Sequence, residues 1–522
     1  MVGHSNLGFA DAMRLQAEEG KLNYYGIRHE GAAAFAASAY GKLTGMPAGA
    51  FTIAGPGATN LLTGLWDAKV DSAPALALTG QVQEQVIGVH AFQDIDLEAA
   101  FEAVTVYSQT VHPGSDHAQL MTGAIKTAIL KKGVGHLVLP DNTQTLPATE
   151  KQQAQNPAGR MANRAVGPPA EDVTAMRDMI AKAKRPMIIT GYGANGSMPA
   201  ITALAETLNA PIATTFKAKG LIGDAHPLAA GVMGRSGTPI ASWFMNEADL
   251  LIVFGASFSD HTGIEPSKPI IQVDTDPMML AKRHPVTLPV MGDVGVTAEA
   301  VSEALNSNSL ADTDQRGELV HRWAMWRKEK AARASEDRGK GLSAAALFEA
   351  LTRLAPEDAI FAVDVGNNTY SFGRYFEPTG DQRILMSGYL GSIGFGFPAA
   401  IGAWAATQDR DVFRGRKVIS ISGDGGFGQY AMEFTTAVKY GMNITHVLLN
   451  NSELGKISKE QRAGEFPVWQ TGLVNPPFAG FARACGGMGH IARTRDDLDR
   501  HLADALAHEG PSLVEVITDP EL

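Results

Sequence analysis

A run of apolar residues, Val418-Ile-Ser-Ile-Ser, ends in Gly423-Asp424-Gly425, and a second run at 444–449 ends in Asn450-Asn451. If the two runs are neighbouring parallel strands, Asp424 and Asn451 both emerge at carboxyl ends, where open α/β sheets bind ligands. A carboxylate and an amide oxygen are hard donors suited to Mg2+, which keeps part of its octahedral shell for phosphate oxygens. The pattern therefore points to a diphosphate bridged to the protein through Mg2+. The competing reading is an ordinary Gly-Asp turn beside an unrelated Asn-Asn turn.

A second set of glycines and carboxylates occupies the middle of the chain. Gly191 and Gly193 lie in Thr190-Gly-Tyr-Gly-Ala-Asn195, Gly255 in Phe254-Gly-Ala-Ser-Phe-Ser-Asp260, and Asp274 and Asp276 in Val273-Asp-Thr-Asp276. Glycine turns after parallel strands, with carboxylates at strand ends, suit a dinucleotide: amides meet the pyrophosphate and an Asp meets a ribose.

These motifs need a scaffold of alternating strands and helices, and the rest of the chain supplies one. Its 522 residues exceed what one core supports and predict three or four domains. Apolar residues at 45% and charged residues at 19% fall within the globular range. Strands are expected at 22–27, 50–54 and 75–79 with helices at 31–43 and 59–68, then strands at 187–190, 211–215, 250–254 and 270–273. A charged helical stretch at 321–333 leads to strands at 359–363, 417–422, 445–449 and 512–517, with a helix at 428–440. The polar, Pro- and Gly-bearing stretch 143–169 reads as a linker. The fold class is α/β, with three parallel-sheet domains in tandem.

Composition also excludes partners. With 44 basic against 55 acidic residues the net charge is -11, leaving no large cationic field for nucleic acid or anionic lipid. The single cysteine, Cys485, can form neither an intramolecular disulfide nor a thiolate cluster, and fits a reducing compartment. The N-terminal residues lack a signal peptide's basic start and apolar core, and no apolar run approaches the roughly 20 residues needed to span a bilayer. A cytoplasmic protein with no membrane partner is the expectation.

The Gly-Asp-Gly to Asn-Asn spacing resembles the cofactor fingerprint of thiamine diphosphate enzymes, and the other blocks agree. Ile27-Arg-His-Glu-Gly31, Ala54-Gly-Pro-Gly-Ala-Thr-Asn60 and Ala91-Phe-Gln-Asp-Ile-Asp96 resemble that family's pyrimidine-binding domain. Gly388-Tyr-Leu-Gly-Ser-Ile-Gly-Phe-Gly-Phe-Pro-Ala-Ala400 resembles its diphosphate-binding domain. Nearly the whole chain is covered, and within the family it is most similar to the pyruvate oxidase and acetolactate synthase branch. The resemblance implies a pyrimidine-binding domain over 1–145, a middle Rossmann-like domain over 165–308 and a diphosphate- and Mg-binding domain over 340–522.

It also implies roles. Glu30 would bond the aminopyrimidine ring and drive its tautomerisation, since a carboxylate partly withdrawn from water can share a proton with a ring nitrogen; Gly55, Pro56 and Asn60 would sit with it on the cofactor. Ile393, with Gly391 in the same loop, would hold the cofactor bent. Asp424 and Asn451 would ligate Mg2+ through side chains and Glu453 through its backbone carbonyl. Gly366, Asn367, Gly423, Gly425 and Gly426 would follow the diphosphate, whose oxygens backbone N–H groups can approach closely. Leu454, Gly455 and Ile457 would complete the cofactor-binding stretch. Phe92 and Gln93 would face the substrate, and His4 lies where the family's first strand delivers polar residues to it. The family's preceding helix and most of that strand have no counterpart before Met1, nor does the C-terminal lid of some relatives after Leu522. The middle motifs would carry FAD, an empty or ADP-binding domain being the alternative.

The activity implied is decarboxylation of pyruvate or a related small 2-oxo acid in a homodimer or homotetramer, with Glu30 from one chain facing Asp424 of another. Glu460 stands where acetolactate synthases carry a tryptophan that favours a second 2-oxo acid, and where pyruvate oxidases and several decarboxylases carry a glutamate. The leading expectation is therefore pyruvate oxidase-like, with the enamine oxidised through FAD. An acetolactate synthase-like carboligase and a non-catalytic, cofactor-binding regulatory relative are the alternatives.

Overall fold

The computed structural model describes residues 1–147, 159–259, 261–305 and 313–521. Much of the 143–169 stretch and Asp260 lie outside them. In chain order the strands are β1 (Ala48–Thr52), β2 (Ala75–Gln81), β3 (Thr105–Thr110), β4 (Val134–Pro140), β5 (Pro186–Thr190), β6 (Ile212–Thr214), β7 (Ala229–Val232) and β8 (Leu250–Phe254). They continue with β9 (Ile270–Asp274), β10 (Leu288–Met291), β11 (Ile360–Val363), β12 (Arg383–Met386), β13 (Val418–Gly423), β14 (Ile444–Asn450), β15 (Met488–Ala492) and β16 (Ser512–Ile517). They form three sheets, ordered β1-β2-β4-β3, β10-β9-β8-β5-β6-β7 and β12-β11-β13-β14-β16-β15. The strand pairs within them are parallel. Helices cover both faces, so central strands such as β8 and β14 are buried throughout and read as continuous apolar runs. This is the expected three-unit α/β architecture.

The helix Glu30–Thr44 shows how sequence sets packing here. Its run EGAAAFAASAYGKLT is rich in Ala and Gly, and the helix is buried on nearly every side. It lies between Leu62–Val70 of its own unit and Gly396–Asp409 of the third. Glycines stand where the backbones nearly touch: a Cβ on Gly402 would lie 2.0 Å from the Ala36 carbonyl oxygen, and one on Gly64 2.5 Å from the Ala34 Cβ. Larger residues would force the helices apart.

Three expected elements differ. Residues 22–27 form no strand, because their backbone is held by side chains of the third unit: Gly26 N–H donates to the Tyr440 hydroxyl at 2.6 Å, and Tyr25 packs edge-on against Trp404 and Tyr440. The helix expected at 428–440 is two, Asp424–Tyr430 and Glu433–Lys439, the first beginning directly on Asp424. The helix at 59–68 is likewise split, into Pro56–Asn60 and Leu62–Val70.

All three units meet at one buried charge cluster. The Lys42 ammonium lies 2.7 Å from both Asp67 and Asp71 and donates to the Met386 carbonyl at 2.8 Å. Asp71 also accepts from Lys217 at 2.8 Å and from the backbone N–H groups of Gly388 and Tyr389 at 2.9 and 3.1 Å. Tyr192 of the middle unit donates its hydroxyl to the Lys42 carbonyl. Burial alone would lower the Lys42 pKa, but the two carboxylates outweigh it and raise the pKa. Burial likewise works against ionised Asp71, yet Lys42 and Lys217 hold its carboxyl below the ordinary range. Replacing Lys42 by Met should leave Asp67 buried without a cation and cost about 3–5 kcal/mol, measured as the shift in urea unfolding at neutral pH.

Candidate active site

The residues singled out in the sequence gather at two places in the fold. The first is the carboxyl end of β1. The Glu30–Thr44 helix starts on Glu30 itself, with His29 as N-cap accepting the Gly31 N–H at 3.0 Å. Glu30 is buried, and one of its oxygens accepts the Asn60 side-chain amide at 3.1 Å. Gly55 has φ +61°, a conformation that disfavours side chains, and Pro56 opens the next helix. Gln93, itself at φ +64°, seats its side chain where a Cβ on Gly55 would be, and its amide oxygen is buried without a partner among the described residues. Phe92 is exposed and stacks on the exposed His4 ring at 6.3 Å.

The second place is the carboxyl edge of β11, β13 and β14. The register pairs Gly423 with Leu449, so Asp424 and Asn451 emerge on adjacent parallel strands, as their spacing requires. Asp424 is buried, and burial raises its carboxyl pKa against the opposing pull of Asn475 and backbone N–H groups. Gly425 faces Leu454 and Gly426 faces Asp364 so closely that a Cβ would lie 2.6 and 2.5 Å from them. Gly366, at φ +142°, caps the helix that starts on Asn367. Asn451 accepts the Glu453 N–H at 3.1 Å in the turn that leads through Leu454 into the helix Gly455–Ala463. On that helix Ile457 is exposed, and Glu460 is exposed and paired with Lys456 at 2.9 Å. Gly391 (φ +67°) and the half-buried Ile393 occupy the loop before Gly396–Asp409.

Three residues that sequence reasoning passed over hold these parts in place. Asn475 donates its amide to Asp424 at 2.6 Å and to Asn450 at 3.0 Å, and Asn450 is in turn anchored on Glu515 at 2.8 Å. Asp364, at the end of β11, accepts the N–H groups of Val365 at 2.7 Å and Gly394 at 2.9 Å, and so fixes the turn that carries Ile393. Its burial pushes its carboxyl up to about 7. Glu433 accepts Arg28 N–H at 3.1 Å and His29 N–H at 2.8 Å, docking the entry to the Glu30 helix on the third unit. Asp364 did carry a signal, an acid between an apolar run and Gly366, the pattern that marked Asp424; Asn475 and Glu433 carried none.

The donor set at Asp424, a buried carboxylate beside amide and backbone oxygens and flanked by glycines with no room for a side chain, fits a hard cation and a diphosphate. In the middle unit the glycine turns after β5 and β8 pack against each other beside a cavity lined by Asn195, Gly196, Thr202 and Arg383. A Cβ on Gly191 would lie 2.1 Å from the Gly255 carbonyl oxygen and one on Gly255 2.5 Å from Ala194 N, so these glycines, with Gly193, are filled by one another's backbone. Asp274 accepts the Asp276 N–H, and Asp276 that of Met278, each at 2.9 Å. The glycine and aspartate motifs expected to hold FAD therefore also serve turn packing.

Family models match all three units: the thiamine pyrophosphate enzyme N-terminal TPP binding domain over 1–100, its central domain over 173–301 and its C-terminal TPP binding domain over 364–516. The chain is 34% identical to a Bacillus subtilis (strain 168) protein, YdaP, whose name describes it as thiamine pyrophosphate-containing, over 97% of this chain and 86% of that protein. It is 31% identical to the acetolactate synthase isozyme 2 large subunit of Escherichia coli (strain K12), over 96% of this chain and 89% of that one. Against the acetolactate synthase of Arthrospira platensis the figures are 29%, 98% and 90%. These relatives favour the carboligase alternative over the leading oxidase expectation.

Asp364 gives the site a pH signature. Between the ordinary carboxylate range and about 7 the folded chain holds a proton on Asp364 that the unfolded chain has lost, so this residue makes stability fall as pH rises through that window. Asp224, buried and raised to about 6, acts in the same direction. Urea unfolding at pH 5 and pH 8 should therefore show a smaller pH difference in Asp364→Asn than in the parent protein.

Proposed function

The chain belongs to the thiamine pyrophosphate enzyme family, in its pyruvate oxidase and acetolactate synthase branch, and on that footing we propose that it decarboxylates pyruvate or a related 2-oxo acid and joins the two-carbon remainder to a second carbonyl, as an acetolactate synthase does. Support comes from the near full-length likeness to acetolactate synthases together with the buried Asp424 at the carboxyl edge of the third sheet. Thiamine diphosphate, when bound, supplies the electron sink for carbon dioxide loss.

The protein's own residues do the rest. Asp424 and Asn451 through side chains and Glu453 through its carbonyl would hold Mg2+, while Gly366, Asn367, Gly423, Gly425 and Gly426 admit the diphosphate to the backbone. Leu454, Gly455 and Ile457 wall the same stretch. Asn60 fixes one oxygen of Glu30 and leaves the other to exchange a proton with a ring nitrogen. Ile393, in the turn held by the Asp364 anchor, would press against the bound cofactor. Phe92, Gln93 and His4 border the substrate side. Exposed apolar side chains, Phe92 beside the first cluster and Phe466, Trp469 and Val474 beyond the second, support closure of the site by a second copy, in a homodimer or homotetramer.

Oxidation of the two-carbon unit is the second reading, and Glu460 favours it. A glutamate paired with Lys456 offers none of the apolar surface that a tryptophan gives a second 2-oxo acid.

Incubation of the protein with thiamine diphosphate, Mg2+, FAD, phosphate and ¹³C-labelled pyruvate in air should yield acetolactate in the NMR spectrum. Acetate or acetyl phosphate would transfer the assignment to the oxidase reading, and untouched pyruvate would overturn the substrate. Glu30→Gln should lower turnover by about 10²–10⁴-fold while retaining cofactor, measured by steady-state kinetics and cofactor titration. Asn475→Ala, which leaves Asp424 without its amide partner, should weaken Mg2+ by about 10–100-fold in a titration of the cofactor-loaded protein.

A further inference from the structure

At the far edge of the third sheet, separated from β13 by β14 and β16, lies a cluster that the proposed chemistry does not use. His490 sits on the edge strand β15, and His501 and Asp504 sit on the helix Arg495–Ala507 that packs against it. The spacing of three places His501 and Asp504 on one helix face. The two imidazoles stack, with centroids 4.5 Å apart and planes 14° from parallel. Ring nitrogens His490 Nε2 and His501 Nδ1 are buried and have no hydrogen-bond partner among the described residues. One ligand atom from each of the three residues lies within 4.8 Å of the others.

We propose that His490, His501 and Asp504 form a second cation site, for a first-row transition metal with Zn2+ as the best match. Two imidazoles and one carboxylate are the donor set that Zn2+ takes, whereas Mg2+ prefers oxygen alone. Buried polar atoms in folded proteins are nearly always paired, and here two imidazole nitrogens without a partner among the described residues lie close to a carboxylate. An ion bonded to both imidazoles lies in the plane of each ring, so binding requires one ring to turn out of the stack. The ion would tie the edge strand to its covering helix, and with a water in its fourth position it would be open to solvent on the Asp504 side, where the carboxylate is exposed.

The test uses holoenzyme saturated with thiamine diphosphate and Mg2+, so that the Asp424 site is occupied, titrated calorimetrically with Zn2+ alone. One Zn2+ per chain is expected, with affinity at least about tenfold weaker in His501→Ala and in Asp504→Asn. Zn2+ should raise the unfolding temperature of the parent protein and not that of the variants. Absence of Zn2+ binding to the parent overturns the proposal, as does unchanged binding in His490→Ala/His501→Ala, which would put the ion elsewhere. Should the histidine variants fail to fold, the exposed Asp504→Asn decides: unchanged affinity overturns the site and a loss supports it.

Discussion

The arrangement of the whole chain turns on a buried ammonium. Lys42 closes the helix that opens on Glu30, and it sits between Asp67 and Asp71 with the Met386 carbonyl as its third partner. Asp71 spends its remaining capacity on Lys217 of the middle unit and on the backbone of Gly388 and Tyr389, the residues that lead into the Ile393 loop. A charge this deeply buried is tolerated only when every partner is in place, so the cluster admits one relative placement of the three units. The cation is also seated 4.6 Å from the centre of the Phe395 ring, within the same turn that Asp364 anchors.

The other end of the helix is fixed by a different device. Glu433 accepts the N–H groups of Arg28 and His29, and Tyr430 packs edge-on against His29 at 5.2 Å. Glu30 is therefore held between two docking points on the third unit, one at each end of a helix too small in side-chain volume to shift independently. The same economy operates at the carboxyl edge of the third sheet, where Ala479, Glu515, Asn450, Asn475 and Asp424 form one chain of hydrogen bonds. A carboxylate aimed at a cation needs this support, because an unsupported one would turn to the nearest free N–H group.

What was legible in the sequence follows from the same physics. Central strands of a parallel sheet are buried on both faces and announce themselves as runs of Val, Ile and Leu, which is why β5, β8, β13, β14 and β16 stood out. Five of the strands that did not, β3, β7, β10, β12 and β15, are sheet edges, four of them partly exposed and β7 buried but made of Ala-Ala-Gly-Val, whose small side chains give no apolar run; β4 is internal, and Gly135 and His136 interrupt its apolar run. Residues 22–27 carry strand-forming tyrosines, but those side chains serve contacts with Trp404 and Tyr440 that no local pattern reveals. Asp424 and Asn451 were readable because strand ends and spacing are local. Asn475 and Glu433 were not, since the partners of Asn475 lie 51 and 25 residues away and those of Glu433 405 and 404 residues away, brought together only by the fold.

In the middle unit the glycine motifs serve packing between turns. Gly191, Gly193 and Gly255 look like a phosphate cradle in sequence, yet their missing side chains let the turns after β5 and β8 touch backbone to backbone. Tyr192, between the first two glycines, reaches out to the Lys42 carbonyl, and Lys217 stacks over both Tyr192 and Tyr389 on its way to Asp71. The visible work of this unit is thus to complete the charge cluster that orients the other two. A domain with that task keeps its turns, its tyrosine and its lysine whether or not a dinucleotide binds it. Glycine spacing in the middle of such a chain is therefore weak grounds for a redox cofactor, whereas the buried Asp424 carboxylate, oriented by Asn475 at the edge of the third sheet, has the donor chemistry that suits a hard cation.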